Sequence, residues 1–238
     1  MADRLERMIK GGRELTANVS HELRTPLARI RVAEELLRNR WGRGEYKDLP
    51  RYLDGIREDI GELDNLIGRI LELSKLDIHE SELNIERFSL QDLINELLEK
   101  FKPMIGSRGL NLEKEISVDS PLSGDREALR TAFSNILENA AKFATEGGSI
   151  IVNMHSEQDC LVTGITNSFE ELAEEDLTRL FDPFFRTEQS RSQGSGLGLA
   201  ITRKIIERHG GGIEASNSSE GLTVRIRLPR RLSEKGFI

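Results

Sequence analysis

One cysteine, one tryptophan and two tyrosines are all that the 238 residues carry of those types. Each shortage excludes something. A lone Cys160 rules out an intrachain disulfide; set in an apolar run, it reads as a buried and inert thiol, and a reducing compartment is implied. There is no run of about 18 apolar residues, hence no spanning helix, and Met1 to Leu15 is too charged for a secretory leader. The chain as given is therefore expected to be cytosolic. Positive charge is short as well: 34 Lys and Arg against 41 Asp and Glu leave a net charge of −7. That balance argues against nucleic acid as the main partner. Aromatic content of 5 % points to cores packed by Leu and Ile, and no internal repeat or low-complexity tract stands out.

What remains is a chain of 37 % hydrophobic and 32 % charged residues, long enough for one large or two ordinary domains. Periodicity predicts two long helices, about Leu5 to Trp41 and about Leu49 to Leu76, with a turn at Gly42 to Asp48. On the first, Leu15, Val19, Leu23, Pro26, Ile30, Ala33 and Leu37 share one narrow face, and His21 lands nearly opposite. On the second the stripe is Leu53, Ile56, Ile60, Leu63, Ile67 and Ile70. Such a hairpin cannot enclose its own apolar faces, so a homodimer forming a four-helix bundle is expected; packing against the rest of the chain is the competing solution.

Beyond Asp77 a polar linker leads into alternating strands and helices. Ile85–Phe88, Leu110–Val118, Ser149–His155, Cys160–Thr166, Gly212–Ser216 and Leu222–Leu228 read as strands of one sheet. Leu90–Ile105, Glu127–Phe143 and Leu197–His209 read as helices on one of its faces. The fold class is therefore α+β: a helical hairpin followed by an α/β sandwich.

Four segments carry chemistry. In Ser20-His21-Glu22-Leu23-Arg24-Thr25-Pro26-Leu27 a histidine faces water on a helix, where a neutral imidazole is a nucleophile. A solvated surface histidine fits the same spacing. Asn135, Glu138, Asn139 and Lys142 line one side of a helix, and mid-helix amides are poor helix formers. Amide oxygens for Mg²⁺ would account for them, as would buried hydrogen bonds to backbone. Phe181-Asp182-Pro183-Phe184-Phe185-Arg186, followed by polar Thr187 to Gln193, suggests a lid with an aromatic anchor. Gly194-Ser195-Gly196-Leu197-Gly198-Leu199 opens a helix, where backbone amides approach a phosphate; it follows no strand, which disfavours a dinucleotide fold.

Taken in this order, the four segments resemble the phosphoacceptor motif, asparagine box, phenylalanine box and second glycine box of the two-component sensor histidine kinases. The resemblance covers nearly the whole chain, and Leu71-Glu72-Leu73-Ser74-Lys75-Leu76-Asp77 matches the usual end of the second hairpin helix. It implies a signalling-helix end at 1–14, a dimerisation and phosphotransfer hairpin at 15–78, a linker at 79–82, a gyrase/Hsp90-like ATP-binding domain at 83–230 and a tail at 231–238. It further implies that His21 accepts the γ-phosphoryl group of ATP, with Glu22 as base or orienting acid and Thr25 orienting a water for dephosphorylation of the partner. Asn139 and Asn135 would hold Mg²⁺, Lys142 and Arg186 would meet phosphate charge, and Gly194, Gly196, Leu197 and Gly198 would line the phosphates. The partner would be a response-regulator receiver domain. Met1 to Met8 resembles the end of a HAMP helix, implying a cytoplasmic fragment of an inner-membrane receptor that itself makes no direct membrane contact.

One box departs from the family pattern. Where an Asp-x-Gly-x-Gly is usual, this chain has Asn167-Ser168-Phe169-Glu170-Glu171. The family's aspartate accepts a hydrogen bond from the adenine amino group; Asn167 keeps an oxygen but no charge, a difference of about 1 kcal/mol. Phe169 and Glu171 in place of glycines restrict both backbone angles and close approach. Weakened nucleotide binding is expected, with a pseudokinase scaffold, or a protein acting mainly as a phosphatase, as the rival reading.

Overall fold

The computed structural model describes residues 2–77, 83–117, 121–187 and 194–231, with backbone alone for 2–15 and 77. The chain forms two compact units, Met1–Glu72 and Leu73–Ile238.

The first unit is a helical hairpin of α1 (Ala2–Gly42) and most of α2 (Leu49–Asp77). Its turn is closed by the Arg40 carbonyl, which accepts the amides of Arg43 and Glu45, and by the Arg40 guanidinium 2.7 Å from Asp48. Val19, Leu23, Ile30, Ala33 and Leu37 are half-buried and Pro26 is buried, so the predicted α1 face holds. On α2 the predicted stripe divides. Leu49 and Leu66 are buried and Ile56, Leu63 and Ile70 half-buried, whereas Leu53, Ile60 and Ile67 remain about half exposed, at 53, 48 and 46 %. Asp59 lies seven residues before Leu66, on the same face, and is buried, with 9 % of it exposed. Its charge is met across the hairpin by Arg29, whose Nε donates to Asp59 Oδ1 at 2.6 Å while Nη2 donates to Glu62.

In the second unit, Ser89 ends β1 (Ile85–Ser89) and caps α3 (Leu90–Ser107), its hydroxyl accepting the Asp92 amide at 3.1 Å. Then come β2 (Asn111–Ile116), β3 (Pro121–Asp125), α4 (Arg126–Phe143), β4 (Ser149–Glu157), β5 (Cys160–Asn167), α5 (Glu174–Arg179), α6 (Gly198–Arg208), β6 (Gly212–Ser218) and β7 (Gly221–Pro229). The main sheet has the order β2-β4-β5-β7-β6. The β2–β4 pair is parallel and the others antiparallel.

Alternation sets the core. Ile150, Val152 and Met154 of β4, Leu161 and Ile165 of β5, and Ile226 and Leu228 of β7 are buried. So are Leu93, Leu97 and Phe101 of α3, Leu129, Phe133, Ile136 and Leu137 of α4, and Ile201 and Ile205 of α6. Each such side chain contributes about 1.5–3 kcal/mol of burial. One expectation changes: β1 pairs with β3 in a separate two-stranded sheet, Ile85 opposite Asp125, and does not join the main one. Strand β3 was missed because Pro121 and Gly124 read as loop. The predicted linker 79–82, the segment 188–193 of the predicted lid and the tail beyond 231 lie outside the described residues.

Candidate functional site

His21 projects from α1 with its side chain 75 % exposed; Glu22 beside it is mostly covered, at 19 %. Nδ1 of His21 stands 3.8 Å from Glu22 Oε1, so the acid sits behind one ring nitrogen and leaves Nε2 outward. Thr25, one turn on, donates its hydroxyl to the His21 carbonyl at 3.5 Å. Pro26 follows inside the helix and has no N–H to offer the Glu22 carbonyl, which marks this turn as an interruption of the helical ladder.

The second cluster is built on α4 and the start of α6. Asp125 caps α4 by accepting the Ala128 amide at 2.9 Å. Asn135, Glu138, Asn139 and Lys142 are all half-buried along one side, opposite the core positions Phe133, Ile136, Leu137 and Ala140. Asn135 Nδ2 donates to the Gly198 carbonyl at 3.2 Å. Thr202, fully buried, donates to that same carbonyl at 2.9 Å and reaches the Ala132 carbonyl at 3.3 Å. These bonds tie the asparagine helix to the glycine segment.

That segment is sewn to the phenylalanine box. Gly196 has φ +68°, and a Cβ there would lie 2.8 Å from the Phe184 carbonyl carbon, so only glycine fits. Phe184, itself at φ +63°, donates its amide to the Gly196 carbonyl at 3.0 Å. Arg186 Nη1 donates to the Gly194 carbonyl at 2.8 Å, and the Arg179 guanidinium lies 4.5 Å from the Phe185 ring centre. The Lys142 ammonium lies 3.5 Å from where a Cβ on Gly194 would sit. Leu197 is fully buried and anchors the entry into α6. Lys142, Arg186 and the bent glycine backbone therefore converge, an arrangement suited to an anion.

Asn167 is buried at the end of β5 and is joined to none of these residues by a hydrogen bond among the described residues. Its neighbour Ser168 is held by its amide donating to Ser149 O at 2.9 Å, its hydroxyl accepting the Ser149 amide at 3.0 Å, and its carbonyl accepting the Thr145 amide at 2.8 Å. A Cβ on Gly221 would sit 2.1 Å from Asn167 O, so glycine is required on the facing strand. Neither Phe169 nor Glu171 takes a positive φ; the backbone restriction expected of them is not met in this conformation.

Three supporting residues had no local signature. Asn217 on β6 accepts the Leu172 amide at 3.1 Å and donates to the Leu172 carbonyl at 2.8 Å, clamping the chain after Asn167. Arg108 donates to the carbonyls of Ala141, Lys142 and Ala144 at 2.5–2.8 Å, capping the end of α4 that presents Lys142. Thr202 is the third.

Comparison with known families decides the class. Residues 13–78 match the His Kinase A (phospho-acceptor) domain, and residues 124–232 match the histidine kinase-, DNA gyrase B-, and HSP90-like ATPase domain. The chain belongs to the histidine kinases. It is similar to the signal transduction histidine-protein kinase BaeS of Escherichia coli (strain K12), 34 % identical over 245 residues, covering 99 % of this chain and 51 % of BaeS. It is similar also to the probable sensor protein PcoS of Escherichia coli, 31 % identical over 96 % of this chain and 49 % of PcoS. The chain thus spans about half the length of these curated relatives. Among solved structures, histidine kinase ThkA in complex with response regulator protein TrrA matches with a TM-score of 0.77 and 26 % identity, over 98 % of this chain and 65 % of that one. The hairpin that carries His21 is this kinase's phosphoacceptor domain, and the sheet unit is its ATP-binding domain. No described helix is long and apolar enough to cross a membrane.

Proposed function

We propose that this kinase core phosphorylates His21 from ATP and passes the group to an aspartate of a response-regulator receiver domain. The exposed His21 backed by Glu22 is the observation that carries the reading. The outward Nε2 lone pair attacks the γ-phosphorus, the Pγ–O bond to the β-phosphate breaks, and ADP leaves with the electron pair. The ring carries its proton at Nδ1, where the Glu22 carboxylate stabilises the positive charge that develops. Lys142, Arg186 and the amides of Gly194, Gly196, Leu197 and Gly198 bind the phosphates, and Asn167 reads the adenine.

Asn135 and Asn139 fit a divalent cation. The Asn135 amide nitrogen is committed to the Gly198 carbonyl, which turns its oxygen the other way. Asn139, four residues on, places a second amide oxygen on the same side of α4, and such hard oxygen ligands suit Mg²⁺. When bound, Mg²⁺ neutralises phosphate charge.

Two copies would form the working unit, because Leu53, Ile60, Ile67 and Leu71 leave an exposed apolar stripe on α2 among the described residues. A receiver domain as partner is supported by the ThkA–TrrA complex. Thr25, exposed one turn after His21, would orient a water for dephosphorylation of that partner. The whole protein is read as a membrane receptor of which this is the cytoplasmic core. The intact asparagine helix, tied by Asn135 to the second glycine segment, favours an active kinase over a pseudokinase.

Incubation with γ-labelled ATP and Mg²⁺ should give an acid-labile label on wild type and none on His21→Gln, with nucleotide binding equal in both. Histidine-type label surviving in His21→Gln overturns the assignment.

A further inference from the structure

His209 closes α6 and is 2 % exposed, yet both its ring nitrogens are engaged. Nδ1 lies 2.7 Å from the Ile205 carbonyl oxygen and Nε2 lies 3.0 Å from the Asp125 amide nitrogen. An amide can only donate and a carbonyl only accept, so the partners assign a neutral ring protonated at Nδ1. Asp125 is itself a junction. Its carboxylate caps α4 through the Ala128 amide and accepts the Asn84 amide at 3.0 Å, at the entry to β1. One imidazole thus braces the end of α6 against the start of α4.

Those two helices carry the phosphate-facing residues: Asn135, Asn139 and Lys142 on α4, and on α6 the Gly198 carbonyl that holds Asn135. The brace has little slack, since a Cβ on Gly124 would lie 3.0 Å from His209 Cδ2. A protonated ring carries N–H on both nitrogens and would turn a donor toward the Asp125 donor, breaking the bond. Among the described residues, the charged groups acting on the ring are Asp125, from the β3–α4 junction, and Arg208, on its own helix. Burial is the largest influence and pulls the ring below the ordinary imidazole range; the Ile205 carbonyl and Asp125 act upward and Arg208 downward.

We propose that His209 is a positioning residue of the nucleotide site, a brace that holds α4 and α6 in binding register only while its ring is neutral, so that nucleotide affinity falls on acidification. This rests on the reading of α4 and α6 as the ATP site. The test is calorimetric binding of a non-hydrolysable ATP analogue with Mg²⁺ to the full chain, at about pH 8 and about pH 5, the lower value chosen because the buried ring protonates below the ordinary imidazole range. Wild type is compared with His209→Gln, whose amide oxygen can accept from Asp125 and does not titrate. Wild type should lose at least about threefold more affinity than His209→Gln between the two pH values, the nucleotide's own titration being common to both. His209→Leu, which lacks the bond at any pH, should bind weakly at both. In wild type, the His209 ring signal in ¹H–¹³C spectra should titrate with the same midpoint as the affinity. Coincident pH profiles for wild type and His209→Gln, full affinity in His209→Leu at about pH 8, or a ring titration detached from the affinity loss each overturn the role of His209. Absence of binding by wild type at the higher pH overturns the nucleotide reading itself.

Discussion

The hairpin and the sheet unit place their apolar side chains in opposite ways. In the sheet unit nearly every large apolar residue of α3, α4, α6 and the central strands is buried, and the polar groups that matter are aimed by neighbours distant in sequence. In the hairpin Leu27, Val32, Leu36, Leu53, Ile60, Ile67 and Leu71 are exposed, and so is the His21 ring, with Glu22 beside it. The difference teaches which unit is finished by itself. The sheet unit closes its own core; the hairpin leaves an apolar stripe and the His21 ring exposed.

That contrast can be broken most forcefully at the stripe. Replacing Ile60 and Ile67 together by Glu should turn a dimer into monomers in sedimentation velocity, because burying two unpaired carboxylates costs several kcal/mol, roughly 2 or more each. The isolated fold of the sheet unit, and ATP-analogue binding, should be unaffected. Next in size is Gly196→Ala. It forces a Cβ against Phe184 at a left-handed φ and should weaken nucleotide binding by about 2 kcal/mol, some thirtyfold, with the hairpin untouched.

The two units also answer pH with opposite signs. Burial lowers the His209 pKa below its unfolded value of 6.5, so its contribution to stability is complete above that pH and is lost as the pH falls through the lowered folded value. Burial raises Glu72 above its unfolded value of 4.5, with Arg69 opposing. Its contribution is complete below that pH and is lost as the pH rises through the raised folded value. Urea unfolding across this range should show a loss of up to about 1.4 kcal/mol per pH unit between the two His209 values, flattened in His209→Gln. The smallest effect is expected at Arg29→Ala. Loss of its bonds to Asp59 and Glu62 should cost the hairpin about 1 kcal/mol in thermal unfolding and leave nucleotide affinity unchanged.

Much of this was legible without the structure. The helices of the hairpin fall within a few residues of their expected ends, since period and a Gly-rich turn are local properties. The exposure of His21 and the shared side of Asn135, Asn139 and Lys142 on α4 follow from helical spacing, as expected. The face of α2 did not: Leu66, outside the expected stripe, is buried, while Leu53, Ile60 and Ile67 within it are half exposed, because helical spacing fixes which residues share a face but not which face is covered. At the departure from Asn167 to Glu171, neither Phe169 nor Glu171 takes a left-handed φ, so the angle restriction expected there is not met.

The sequence by itself therefore determined the helices of the hairpin, most strands of the sheet unit and the order of the motifs along the chain, all of which depend on neighbours within a few residues. Only the tertiary structure decided what aims them. Arg108 reaches 33 to 36 residues along the chain to cap α4, Thr202 reaches Ala132, Asn217 reaches Leu172, and His209 reaches Asp125. Such pairings leave no trace in local pattern, because a side chain and a backbone group far apart in sequence meet only once the core between them has formed.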